Sequence, residues 1–409
     1  MNKPLTDVLP ELKDRLQETY ADFLSKAASH EREKVEGVLQ KAHEGAVHLL
    51  NRSHPKPHSH EFAHAWSLLN ENMPTLADTA IEKKIPYVSH DGHIVGFGKY
   101  ELLDPEYVES VIEWLAHFWD RADFGNDPAT ITIPDNVKIA LAGDWGTGNW
   151  RTDAPSQKVA SAIRAHAPEF TIHLGDVYYA GTGTQEAQNL LPLWPRGSLA
   201  SLTLNSNHEM YNGGHGYFDV TLKSDVFKAQ NGTSYFALEN AHWVVVGLDS
   251  VYGASEAGGY MHGQLNQPQL DFLGGIRKRA AAVGKRVIVL SHHPGLGLTG
   301  EPCDPLWTQV TSALGSTLAY WYWGHVHAGV VYKAQGGVLG RCCGHGAVPH
   351  GAAPELDGND SYVWRESASA DDPQIPLRIL NGFVLLELQG EVLTESFVDE
   401  NNRLRWSGD

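Results

Sequence analysis

Val137-Lys138-Ile139-Ala140-Leu141-Ala142-Gly143-Asp144-Trp145-Gly146 is a short, largely apolar run that stops on Gly-Asp. A strand predicted over Val137 to Ala142 ends where Gly143 lets the backbone turn sharply, which leaves the Asp144 carboxylate projecting above the sheet. Four later segments follow the same plan: Gly175-Asp176-Val177-Tyr178-Tyr179, Asn207-His208-Glu209, Ser291-His292-His293-Pro294 and Gly324-His325-Val326-His327. Each is expected to place a metal-ligand residue type at the end of a strand. One such segment is ordinary turn chemistry; five in this order are a pattern.

The strands predicted around these segments are Val137 to Ala142, Phe170 to Leu174, Ser201 to Leu204, Trp243 to Leu248, Val287 to Leu290 and Leu318 to Trp323. Helical patterns at Val159 to Ala167 and Gln267 to Arg277 lie between them, so the chain reads as layered α/β with much parallel or mixed sheet. In such sheets ligands gather beyond the carboxyl ends of the strands, where the five segments fall. Phe383 to Leu388 and Val392 to Phe397 read as a closing hairpin, with Arg403 to Trp406 as a further strand.

Upstream the texture is helical. Leu9, Leu12, Leu16, Tyr20, Phe23 and Leu24 recur at spacings of three and four, as do Val35, Val38, Leu39, Ala42, Ala46, Leu49 and Leu50. The Pro- and His-rich stretch 51–59 reads as a loop. Tyr87 to Val95 reads as a hairpin turning at Asp91-Gly92, and Asp104-Pro105 caps a helix carrying Val108, Val111, Ile112, Leu115 and Trp119. We place the boundary near Pro134: residues 1–134 form a mainly helical accessory region and 135–409 the catalytic domain.

With 409 residues the chain is long enough for a large core plus an accessory region. Its net charge of −18 disfavours binding to nucleic acid or an anionic membrane, so positive charge for a phosphate substrate has to be local, as bound metal ions supply. No basic stretch followed by an apolar run opens the sequence, and no apolar segment approaches transmembrane length. Cys303, Cys342 and Cys343 offer no disulfide framework and suit a reducing compartment. A cytoplasmic location is the expectation.

Asp144 and Asp176 can each offer two carboxylate oxygens, so one of them can bridge two cations. Asn207 can add an amide oxygen, and His292, His325 and His327 can add imidazole nitrogens. A mixed set of oxygen and nitrogen donors suits Zn, Mn or Fe better than Ca or Mg. Two such ions can activate water and clamp phosphoryl oxygens during in-line attack.

The ordered set Asp-x-Gly, Gly-Asp-x-x-Tyr, Asn-His-Glu, His-x-Pro and Gly-His-x-His resembles the calcineurin-like metallophosphoesterases and, within them, the purple acid phosphatases. The resemblance covers about residues 137–330. It implies a four-layer sandwich in which two mixed β-sheets are flanked by helices. It also implies that Asp144, Asp176, Tyr179 and His327 hold one ion while Asp176, Asn207, His292 and His325 hold the other. His208 is then the residue that meets the phosphate and protonates the leaving group. Asn207, His208, His293 and His345 are the expected substrate contacts. The implied reaction is attack of a metal-bound hydroxide on phosphorus, without a phosphoenzyme. The substrate is a small phosphomonoester, with a phosphodiester of a nucleotide or phospholipid headgroup as the alternative.

Gly146 stands where most of the wider superfamily has histidine, and the resemblance implies that Tyr179 stands in for the missing ligand, the alternative being a core Tyr179 with Tyr178, or neither tyrosine, as the ligand. Two divalent ions, two carboxylates and a bridging hydroxide leave one positive charge to hold phosphate. A phenolate cancels it unless one ion is trivalent, and tyrosine ionises only near pH 10 without a strongly acidic cation. The expected cofactors are therefore Fe(III) beside Tyr179 and a divalent Zn, Mn or Fe ion. Ser206 departs from the pattern, which has glycine before Asn-His, and the helical first third is foreign to it.

His60-Glu61-Phe62-Ala63-His64 fits the zinc-peptidase pattern, in which two histidines share one helical face and the glutamate acts as base. It supports a rival reading as a metallopeptidase, with no evident third ligand. His54 and His58 belong to the same cluster. Glu209, Trp145, Asn149 and Arg151 adjoin motif positions as candidate rim groups.

Overall fold

The computed structural model describes residues 5–52, 60–70, 73–76 and 85–408. His54 and His58 lie outside them. The catalytic part is built on two large mixed sheets. One has six strands: β16 (Leu404–Gly408), β15 (Val392–Asp399), β14 (Gly382–Gln389), β4 (Asn136–Ala142), β5 (Phe170–His173) and β6 (Ala200–Thr203), in that spatial order. The other has eight: β13 (Tyr362–Arg365), β11 (Gly329–Tyr332), β12 (Leu339–Cys343), β10 (Leu318–Trp323), β9 (Arg286–Ser291), β8 (Trp243–Gly247), β7 (Phe236–Glu239) and β3 (Ala129–Thr132). Two short strands, β1 (Tyr87–Val88) and β2 (Ile94–Val95), pair as the predicted hairpin.

Alternation along the strands builds the layers. Ile139, Leu141, Ile172, Val245, Ile288, Leu290 and Tyr322 turn inward and meet in one core between the sheets. Ala140 and Ala142 point the other way, against Val159 and Ile163 of the helix Pro155–Ala165. On the far side, Val244, Val246, Val287 and Val289 pack on Leu273, Ile276 and Ala280 of the helix Gln267–Val283 and on Val310 and Leu314 of the helix Leu306–Leu314. Two sheets enclosed by helices are the four-layer α/β sandwich.

β4, β5 and β6 are mutually parallel, as are β8, β9 and β10. Their carboxyl ends therefore open on one edge of the sandwich, and the five segments are gathered there. The strand β3 precedes residue 134 yet pairs in parallel with β7, so the eight-stranded sheet takes its edge from upstream of the expected boundary.

The first third folds onto this same edge. Helices Leu5–Lys26, Ser29–Leu50 and Val108–Ala116 bury Leu16, Phe23, Val35, Leu39, Val111 and Trp114 in a cluster that also holds Met210, Tyr211, Val251 and Tyr260. Asp104 caps the turn that precedes the helix from Val108, its side chain accepting from the Glu106 amide, with Pro105 in the first position. The accessory region thus supplies one wall of the site.

Candidate metal centre

Asp144, Asp176 and His325 all adopt left-handed backbone conformations, with φ of 56°, 77° and 63°. Such conformations are uncommon outside glycine and cluster at functional sites. Gly175, at φ 98°, admits no side chain: a Cβ there would lie 2.8 Å from Ser206 Cβ and 2.9 Å from His292 Nδ1. Close backbone approach at Gly175 is what lets β5, β6 and β9 bring their end residues together.

Among the described residues, Asp144, Asp176 and His292 bring three ligand atoms within 4.8 Å of one another. Around them, His292 Nε2 lies 3.3 Å from Asp176 Oδ1 and 2.9 Å from Asn207 Oδ1. His325 Nδ1 lies 3.1 Å from Asn207 Oδ1 and 3.2 Å from His292 Nε2. His327 Nε2 lies 3.4 Å from Asp144 Oδ1, an oxygen with no hydrogen-bond partner. His292 Nδ1 donates to the Leu174 carbonyl at 2.9 Å, which turns Nε2 toward the cluster in the tautomer a ligand needs.

The electrostatics suit cations. Burial raises the Asp144 carboxyl well above the usual range, and the neighbouring Asp176 charge pushes it further. At Asp176 burial acts the same way, but His292 and His208 outweigh it and hold this carboxyl well below the usual range. Burial takes His325 down to about 3 and carries His327 well below its normal value, so both present neutral imidazoles, and it lowers His292 against the opposing pull of Asp176. Neutral nitrogens, two carboxylates and an amide oxygen converging in a buried cleft fit a pair of metal ions.

The phenol at this cluster belongs to Tyr178, not to Tyr179 as the sequence pattern implied. The Tyr178 hydroxyl donates to Asp176 Oδ2 at 2.9 Å and lies 3.1 Å from His327 Nε2. The Tyr179 side chain turns to the accessory region, where its hydroxyl donates to Asp104 Oδ2 at 2.5 Å and Lys99 Nζ sits 4.5 Å from its ring centroid. Its carbonyl accepts from Ser110 Oγ and from His208 Nδ1, at 2.7 and 2.6 Å. Sequence spacing assigned the hydroxyl to the cluster by analogy; the contact with Asp104 lies 75 residues away and has no local signal.

His208 begins a short helix, Asn207–Tyr211, capped by Ser206. With Nδ1 held by Tyr179, its Nε2 faces inward, 3.9 Å from Asp176 Oδ2. Burial lowers this imidazole, but the Asp176 and Glu61 carboxylates together raise it above its usual value. Ser206 also donates toward Asp176 Oδ1 or Glu209, so the residue in the place of the family glycine links the bridging candidate to a second buried carboxyl.

The other expected substrate contacts are occupied elsewhere. His293 Nε2 donates to the Tyr260 carbonyl at 2.9 Å while Nδ1 lies 3.2 Å from Ser250 Oγ. Its ring, 4.7 Å from that of His325, backs a ligand candidate and leaves no nitrogen for substrate. His345 is buried against the Phe397 ring, 5.9 Å between centroids, instead of reaching over the cluster. Arg151 pairs with Asp372, and Trp145 Nε1 donates to the Ser156 carbonyl.

The zinc-peptidase geometry does not form. His60–Phe62 is a single 3-10 turn and the α-helix starts only at Ala65, so the two histidines do not share a helical face. His64 Nε2 donates to the Leu103 carbonyl at 2.8 Å, whereas His60 lies with His93 and His327, ring centroids 4.9 and 6.0 Å away. His60 and Glu61 thus stand at the phosphoesterase cluster, a placement no local spacing announces.

Residues 137–329 match the family model of the calcineurin-like phosphoesterases. No curated protein matches the chain. Among solved structures it is similar to GAP50, the anchor in the inner membrane complex of Plasmodium, at 13% identity over 67% of this chain and 88% of that one, TM-score 0.48. It is similar to a dimetal phosphatase from Danio rerio at 12% identity over 69% and 99%, TM-score 0.41. A 5'-nucleotidase from Candida albicans is similar at 11% identity over 68% and 53%, TM-score 0.35. The chain carries a calcineurin-like phosphoesterase domain and is a hydrolase of phosphoric ester bonds. No described helix is long and apolar enough to cross a membrane.

Proposed function

We propose that this phosphoesterase domain is a dinuclear phosphomonoesterase of the purple acid phosphatase type, with the phenol ligand supplied by Tyr178. Asp144, Asp176, Tyr178 and His327 would hold one ion, and Asp176, Asn207, His292 and His325 the other. The observation that carries this reading is the Tyr178 hydroxyl between Asp176 Oδ2 and His327 Nε2. When bound, the two ions supply Lewis acidity and the positive field that a phosphate needs in an otherwise acidic protein. Burial and the Asp176 and Asp144 charges keep the Tyr178 phenol protonated. A phenolate there therefore calls for a strongly acidic cation, which is the case for Fe(III) beside a divalent Zn, Mn or Fe ion.

The residues of the chain divide the remaining work. His208, with Nδ1 fixed on the Tyr179 carbonyl, carries a second proton on Nε2 and gives it to the departing alkoxide oxygen. The P–O bond breaks toward the alcohol, and the oxygen of water becomes the new phosphate oxygen. His293 and Ser206 hold His325 and Asp176 in place. Metal analysis, then activity toward p-nitrophenyl phosphate and bis-p-nitrophenyl phosphate after chelation and single-metal readdition, tests the reading. Iron with a visible phenolate band and preference for the monoester support it. Preference for the diester replaces it with a phosphodiesterase on the same site.

A further inference from the structure

Glu61 is the group at this site that the proposed reaction does not use. It is 3% exposed, its Oε1 lies 3.6 Å from His208 Nε2 and 3.8 Å from His60 Nδ1, and its Oε2 has no hydrogen-bond partner among the described residues. A buried charged oxygen without a partner is costly, and a native fold that keeps one usually has a ligand for it. The backbone beside it is anchored. The next residue, Phe62, stacks on Trp114 at 4.9 Å and 3°, and its ring lies against Gly259, where a Cβ would come within 2.6 Å.

Its surroundings are aromatic, with imidazoles as the facing basic groups. Tyr107 and Tyr211 flank His208, with ring centroids 6.3 and 5.2 Å from it, and the Tyr107 hydroxyl also lacks a partner. Burial takes His60 down to about 4, whereas at His93 burial is outweighed by the Asp91 and Glu61 carboxylates and the imidazole is raised, so His208 and His93 are the basic groups facing Glu61. Burial pushes the Glu61 carboxyl up, but the facing imidazoles, with His208 adding a hydrogen bond, outweigh it and bring the carboxyl below the usual range. Among the described residues His60, Glu61 and His93 do not bring their ligand atoms together, as Asp144, Asp176 and His292 do.

A phosphate dianion seated beside His208 meets the buried Glu61 carboxylate on the side where its alcohol leaves. Repulsion becomes attraction only if that alcohol carries a positive charge or a strong donor. We propose that Glu61 contacts the leaving group and that the enzyme takes phosphoesters of cationic amino alcohols. The proposal rests on the phosphoester reading of the same site, with His208 beside the leaving oxygen. It deepens that reading by naming the substrate class. It also gives the accessory region a task, because Glu61 and Tyr107 both come from it.

Ethanolamine phosphate and n-propyl phosphate have the same length and differ in a terminal ammonium against a methyl group. On the metal-loaded protein, the ammonium ester is expected to be preferred in kcat/KM by roughly ten- to a hundredfold, the selectivity of one charge-assisted hydrogen bond. Glu61→Gln, nearly isosteric, brings the ratio close to one with both metals retained, and Glu61→Asp keeps part of it. Equal use of the two esters by the wild type overturns the proposal, as does a preference that survives Glu61→Gln. Loss of metal from Glu61→Gln also overturns it, since Glu61 is then a ligand. The same two esters as competitive inhibitors of bis-p-nitrophenyl phosphate hydrolysis report the preference even if monoesters do not turn over, which separates failure of this proposal from failure of the monoesterase reading.

Discussion

Tyr178→Phe and Tyr179→Phe make a matched pair, since each removes one oxygen from adjacent buried rings. At Tyr178 the deleted hydroxyl bonds Asp176 Oδ2 and stands 3.1 Å from His327 Nε2. Even a partner one step removed from a metal is worth about 10- to 100-fold in metal affinity, so loss of a direct donor should weaken binding at that ion by at least about 100-fold. At Tyr179 the deleted hydroxyl bonds Asp104, whose carboxylate keeps the Tyr100 and Glu106 amides at 2.7 and 3.1 Å. The expected cost there is about 1 to 2 kcal/mol of folding stability with metal affinity unchanged. Metal titration against a chelator of known affinity reads the first effect and urea unfolding the second. On iron-loaded protein, the visible band disappears in Tyr178→Phe and persists in Tyr179→Phe. The reverse pattern, metal and colour lost with Tyr179 alone, refutes the assignment of the phenol to Tyr178.

Three further outcomes follow from buried polar groups near the site. Glu186 is raised to about 8 by burial, against the smaller pull of the Thr221 hydroxyl. The folded state therefore holds a proton that the unfolded chain releases above the ordinary glutamate range, and this stabilising contribution is lost as pH rises toward 8. Glu186→Gln should flatten urea midpoints between pH 5 and 8 by up to about 1.4 kcal/mol per pH unit, and an unchanged slope refutes it. Arg378 binds Glu400, Asp372 and Asn381 in a buried network, so Arg378→Met leaves Asp372 to Arg151 and Glu400 to Lys158 alone and should cost up to about 3 kcal/mol in denaturant unfolding. Ser206→Ala removes the hydroxyl between Asp176 and Glu209 and the cap on the His208 amide. It should lower stability by about 1 to 3 kcal/mol, and a neutral result would show that the two carboxyls share a proton directly.

The strands legible in the sequence were those with apolar runs, such as Val137 to Ala142 and Leu318 to Trp323, because a strand buried on both faces must be apolar along its length. The strands β3, β7, β11, β12 and β13 were not singled out. Thr130, Thr132, Gly340 and Arg341 interrupt their hydrophobic pattern, and partners in the neighbouring strand satisfy them instead. Within the site, Asp144, Asp176, Asn207, His292, His325 and His327 could be singled out because each follows a strand and their order along the chain is itself the signal, and the fold gathers them in one cluster. His293 and His345 were misread for the opposite reason: adjacency to a motif says nothing of where a ring points.

By itself the sequence determined the chemistry available to this protein. The Gly-Asp turns, the His pairs and the strand periodicity depend on backbone geometry a few residues wide, and such geometry is written locally. What only the tertiary structure decided is which of two adjacent tyrosines faces the cluster and what the accessory region does there. Asp104 draws Tyr179 away across 75 residues, and Glu61 meets His208 across nearly twice that separation. Contacts of this kind depend on how two layers dock, and a buried carboxylate announces its partner only once the fold has removed the water around it.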